Sequence, residues 1–194
     1  MSYQLCGSRE AAMRADVARN NQKIFEKARE AVAAGETDLK LNELARRAGV
    51  GVGTVYRLFP TPRAMLEAVV EEGVIELNRV AAEAELDPDP RRALGDFLRA
   101  ALTAALDQPG LFDVLITLDD ERETLRDAKV ELVGATSRLL ARAHTQPPLT
   151  GENMLKLLCG LIHAISEHPA DRRQAAADAY LLLLRNGLVS APAT

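Results

Sequence analysis

The stretch AGVGVGTVYRLFP, Ala48 to Pro60, limits what the chain can fold into more than any other. Glycine is costly inside a helix and at ease in a tight turn. Gly49 and Gly51 therefore read as a break between two short helices, about Leu41–Ala48 and about Val52–Leu58. On the first, Leu44, Ala45 and Ala48 face inward; on the second, Val55 and Phe59, spaced i, i+4, do the same. A helix, a glycine turn and a second short helix make either an ordinary αα-hairpin or a helix-turn-helix, whose second helix presents its first turns to the DNA major groove.

Charge bears on that choice. The net charge of −4 argues against a polyanion partner, but its distribution does not. Residues 1–63 carry 11 Lys and Arg against 7 Asp and Glu, a net of +4, and residues 64–194 carry a net of −8. A basic head on an acidic body fits a polyanion bound by the head alone. In that reading Val52, Gly53 and Thr54 open the second helix toward the bases. Tyr56 reaches a phosphate, and Arg57 pairs with a guanine edge or a phosphate. Gly53 lets the backbone approach the duplex.

The rest of the chain reads as all-α. No alternating β-branched run bounded by turns argues for a strand. Apolar residues make up 47%, enough for a sizeable core, and are mostly Ala, Leu and Val; aromatics are 4%, and Trp is absent. Residues 1–13 lack a period and are expected to form a mobile arm. Ile24, Ala28, Ala31 and Val32 mark a helix from Arg14 to Ala34, ended by Gly35. Thr61 and Pro62 start a long helix to about Leu86. Asp87-Pro-Asp-Pro90 opens the next, and Pro109-Gly110 ends it. Short and long helices follow over 111–118 and 121–144, then 151–167 and 171–186, giving about nine in all.

No window is long and apolar enough for a membrane span, and MSYQLCGSREAAMRAD lacks the apolar segment of a secretory signal. Cys6 and Cys159 are far apart and without metal spacing, so neither a disulfide framework nor a metal site is expected, and the cytoplasm fits. Glu-x-x-His pairs, Gly-x-Ser-x-Gly, a phosphate loop and paired cysteines are all missing. An enzyme is not expected, nor a cofactor.

LNELARRAGVGVGTVYRLFPTPRAMLEAVV (Leu41–Val70), with LARRAGV, GTVY and Phe59, resembles the DNA-binding domain of TetR-family transcriptional regulators. The likeness extends back to about Arg14. It implies a helix-turn-helix domain over 14–62 and a ligand-binding and dimerisation domain over 63–190. It further implies a homodimer that represses from a pseudo-palindromic DNA operator and is released by a small molecule. The family's DNA-contacting positions fall on Lys40, Leu41, Val52, Gly53, Thr54, Tyr56 and Arg57, with Arg46 and Arg47 as further phosphate contacts. There are departures. Lys40 and Gly51 stand where the family usually has side-chain caps, Leu58 where it has His or Tyr, and Pro62 where it has a phosphate-binding Lys or Arg. Arg63 is expected to substitute. Fewer phosphate contacts, and so a shallower salt dependence, are expected. The rival reading is a TetR-like fold that binds ligand or protein without binding DNA.

The resemblance places an apolar pocket between residues 91 and 165, with Phe97, Leu98, Phe112, Leu115, Ile116, Leu140 and His163 as candidate lining, although Phe97 and Phe112 read more readily as core and His163 as either a core histidine or a polar anchor. The stripe Leu155, Leu158, Ile162, Ile165 and the residues Leu181, Leu182 and Leu184 read either as intramolecular core or as the two-fold dimer seam that the resemblance implies. The long helix from Pro62 joins head and body and is the expected lever.

Overall fold

The computed structural model describes residues 4–117, 119–145 and 148–188, with side chains from residue 15 onward. Among the described residues there are nine helices and no strand: α1 (Gln4–Ala33), α2 (Leu41–Ala48), α3 (Val52–Leu58), α4 (Pro62–Glu85), α5 (Pro90–Asp107), α6 (Leu111–Leu115), α7 (Glu123–Arg142), α8 (Gly151–Ser166) and α9 (Ala170–Leu188). Two compact units result, Met1–Val69 and Val70–Thr194. The division falls inside α4, seven residues beyond the boundary expected after residue 62. Ala64, Met65, Leu66, Ala68 and Val69, all buried, belong to the head unit.

Sequence signals set most helix ends. Gly35 takes φ +86° after α1. The Thr61 hydroxyl accepts the Ala64 amide at 2.9 Å, capping α4 as its position predicted. Asp89 accepts the Arg91 and Arg92 amides with Pro90 in the first turn of α5. His144 closes α7 with φ +51°, a conformation usually left to glycine. One expectation is corrected. The arm expected over residues 1–13 is helical from Gln4 onward, and residues 1–3 lie outside the description. Arg, Glu, Ala and Met favour a helix even where no apolar stripe advertises one. The helix expected over 111–118 ends at Leu115, and Leu118 and Pro147 lie outside the described residues.

In the head, Ile24, Ala28, Ala31 and Val32 of α1 are buried as their spacing predicted, in a core shared with Leu39, Leu41, Leu44, Ala45 and Val55. In the body, α5 packs against α7, α8 and α9. Its Phe97, Leu98 and Leu102 are fully enclosed, as are Leu132, Leu139 and Leu140 of α7. Cutting Phe97 back to alanine would cost about 3–5 kcal/mol. The α7–α8 contact depends on Gly151. A Cβ there would stand 2.1 Å from the Val133 carbonyl oxygen. The Ser137 hydroxyl accepts the Gly151 amide and donates to that same carbonyl, each at 2.9 Å.

Candidate nucleic-acid interface

The helix-turn-helix follows from two local rules. Gly49 sits in the left-handed region, φ +67°, just past α2. Its amide donates to Arg46, and the Val50 amide reaches back to the Ala45 carbonyl at 3.0 Å, so two of the free carbonyls of α2 are satisfied. Gly51 needs no such freedom: at φ −66° it starts α3 in extended geometry, with no side-chain cap. Val55 is fully buried and pins α3 to the head.

Pinning Val55 turns the opposite face outward. Val52 and Tyr56 are each 44% exposed, and Gly53 and Arg57 lie open beside them. These four positions, spaced i, i+1, i+4 and i+5, share one side of the helix. Thr54 is half-buried. Among the described residues Arg57 has no ion-pair partner, so its guanidinium is available to a base edge or phosphate. Lys40, exposed at the start of α2, supplies charge and no cap.

Three expected contacts are placed differently. Leu41 is only 2% exposed and belongs to the core, so its side chain cannot reach a duplex. Arg47 is held by two carboxylates: Nη2 lies 2.9 Å from Glu43 Oε1, and Nη1 lies 3.4 Å from Glu36. These bonds, with Glu43 first, raise the Arg47 pKa and lower that of Glu43. Arg63 donates from Nε at 2.8 Å to Glu67, which is wholly buried. Arg46 remains open to solvent, 3.5 Å from Glu43. The i, i+4 spacings Glu43–Arg47 and Arg63–Glu67 were visible in the sequence and were missed.

In the body, Phe97, Leu98 and Leu140 are wholly buried and Phe112 nearly so. The His163 side chain is 83% exposed, 3.7 Å from Glu167 on its own helix, and anchors nothing inside. Leu115 and Ile116 do line a cleft of about 530 Å³ with Asp120, Arg126, Lys129, Val130, Val133, Glu152, Leu155 and Lys156. The stripe expected to form the dimer seam is also inward: Leu155, Leu158, Ile162, Ile165 and Leu181 are buried within the protomer. Leu182 is exposed and Leu184 half-buried. Burial pushes the Cys159 thiol up to about 12, so it is not nucleophilic at neutral pH. Among the described residues no cluster of side chains suits a metal ion, and no helix is long and apolar enough to cross a membrane.

Residues 24–69, which hold α2, α3 and the start of α4, match the family model of bacterial regulatory proteins of the tetR family. The TetR transcription regulatory protein from Mycobacterium vanbaalenii is 29% identical over 91% of this chain and 98% of its own, with a TM-score of 0.51. The chain is similar to TetR-family regulators, and residues 24–69 are the part that the family model covers. The TetR transcriptional regulator SCO0520 from Streptomyces coelicolor is 26% identical over 84% of this chain and 97% of its own, with a TM-score of 0.53. The transcriptional regulator FadR from Bacillus subtilis, solved with stearoyl-CoA, shares the fold at 16% identity and a TM-score of 0.59, over 87% of this chain and 99% of its own. No curated protein matches the chain. The matched segment ends at Val69, where the compact head unit also ends.

Proposed function

We propose that the chain is a ligand-released repressor that binds a pseudo-palindromic operator as a homodimer. The open face of α3 carries this reading. Val52, Gly53, Tyr56 and Arg57 stand clear of the head behind a glycine-capped turn, and Arg57 brings an uncommitted guanidinium. Arg57 reads a base or grips a phosphate, Tyr56 and Thr54 bond the backbone, and Gly53 permits close approach. Lys40 and Arg46 add phosphate contacts. The protein is cytoplasmic in this reading, and it has no catalytic step.

The dimer forms on the outward faces of α8 and α9. Leu157 and Gly160 of α8 and Ala179, Leu182 and Leu183 of α9 are exposed, and Leu183 reaches 68%. An apolar face of this kind is what an isologous two-fold interface covers. Two heads then address half-sites about 34 Å apart. A small molecule bound in the body favours a dimer whose heads do not match that spacing, and it acts because it binds that state better. α4, continuous across the division between the units, transmits the change. That FadR is solved with stearoyl-CoA supports a small-molecule effector for this fold.

The engagement of Arg47 and Arg63 by carboxylates favours the rival reading of a ligand- or protein-binding module. Selection from a random duplex library separates the two. Convergence on paired, inverted half-sites supports the repressor. Convergence on a single half-site contradicts the dimeric reading, and no convergence favours the module.

A further inference from the structure

We infer that the cleft between α6, α7 and α8 takes a small amphipathic anion, its apolar body against Ile116, Val130 and Val133 and its carboxylate-type head on Arg126. This rests on the reading of the body as ligand-responsive and names the chemistry of the ligand. At about 530 Å³ the cleft is in the size range of small-molecule sites. Leu115 and Leu155 complete an apolar wall, and Ile116 and Val130 are large aliphatic side chains left exposed on it. Burying them is a driving force for any apolar guest.

The charged groups decide which guest. Lys129 is buried and already committed: Nζ donates to both carboxylate oxygens of Asp120 at 2.8 Å and to the Val114 carbonyl at 2.9 Å. Lys156 pairs at 2.6 Å with Glu152 one turn back on α8, in an exposed pair that is easily exchanged. Arg126 differs. Its Nη2 donates to the Asp120 backbone carbonyl, and among the described residues no carboxylate pairs with it. A guanidinium offers five N–H groups in a planar fork, so an edge suited to a carboxylate remains. Three cations against two carboxylates line the cleft, so the uncompensated charge is positive. A cationic guest would face that charge, and a neutral one would gain the apolar wall alone.

Calorimetric titration of the full chain, without DNA, tests this with octanoate, octan-1-ol and octyltrimethylammonium. Octanoate should bind at least about tenfold tighter than octan-1-ol, and the ammonium most weakly. Arg126→Gln should remove the advantage of octanoate and leave octan-1-ol unchanged. Val130→Asp, at an exposed position that does not threaten folding, should weaken both. Equal binding of octanoate and the ammonium, unchanged octanoate affinity in Arg126→Gln, or no binding of any probe would overturn the inference. DNA release is scored separately. Octanoate that binds through Arg126 without affecting operator binding would contradict the ligand-released repressor and leave the chemistry of the cleft standing.

Discussion

Arg47 is turned onto Glu43: its Nη2 lies 2.9 Å from Oε1 one helical turn back on α2, with Glu36 at 3.4 Å on the other side. An arginine expected to meet a phosphate is thus neutralised by two carboxylates of the head. Exposed pairs of this kind contribute little to stability, so Glu43→Gln should leave the melting temperature nearly unchanged. Combined with Glu36→Gln, it should strengthen DNA binding by freeing Arg47 from both carboxylates. The slope of log affinity against log salt should steepen by about 0.9 for that added phosphate contact. Anisotropy titrations at several salt concentrations check this, and an unchanged slope would show that Arg47 has no phosphate within reach.

Gly53 sets stability against function. A Cβ there meets nothing within 4 Å in the free protein, and the residue lies inside α3. Gly53→Ala should therefore stabilise the protein by roughly 1 kcal/mol. If the α3 backbone closes on a duplex, the same methyl should weaken operator binding. Thermal melting and anisotropy on one preparation give both numbers, and a gain in both would place the duplex away from Gly53.

The leucines of α8 and α9 separate into two groups with different failures. Leu183→Glu and Leu157→Glu, at exposed positions, should yield a folded monomer by light scattering that no longer binds the operator. Leu158→Ala, at a fully buried position, should instead cost about 2–5 kcal/mol of stability. Intact dimers in both surface variants would move the seam elsewhere.

Gly151 is fixed by contact with Val133 rather than by backbone freedom. Gly151→Ala would push a methyl onto that carbonyl and the Ser137 backbone. The strain should cost about 1–3 kcal/mol. For a chain of this length each kcal/mol lowers Tm by about 2–4 °C. A calorimetric scan showing no shift would mean that α7 and α8 can separate without cost.

The elements legible in the sequence are those with local causes. The α1 stripe Ile24, Ala28, Ala31, Val32 shows its helical period, Thr61 and Asp89 show their caps, and Gly49 shows its left-handed turn. The start of α1 at Gln4 was not legible, because a helix without an apolar face has no periodic signal. On α8 and α9 leucines stand both inward, as Leu158 and Leu181, and outward, as Leu157, Leu182 and Leu183. Periodicity identified Leu158 and Ile165 as a stripe but could not tell whether a stripe meets its own protomer or another. The cleft was hidden more deeply, since Lys129 meets Asp120 only after the chain turns between α6 and α7. Of the residues expected to face DNA, Tyr56 and Arg57 are outward, whereas Leu41, placed by family position, lies in the core.

The most direct test of the central claim is recovery of fragmented genomic DNA by the purified wild-type protein and by Arg57→Ala, side by side, at physiological salt and without added ligand. Arg57 is exposed and unpaired among the described residues, so its loss should not disturb folding. The account predicts enrichment of a few fragments with paired inverted sites by wild type, and loss of that enrichment in Arg57→Ala. Equal enrichment by the two proteins, or none by a wild-type preparation refolded free of ligand, would contradict it.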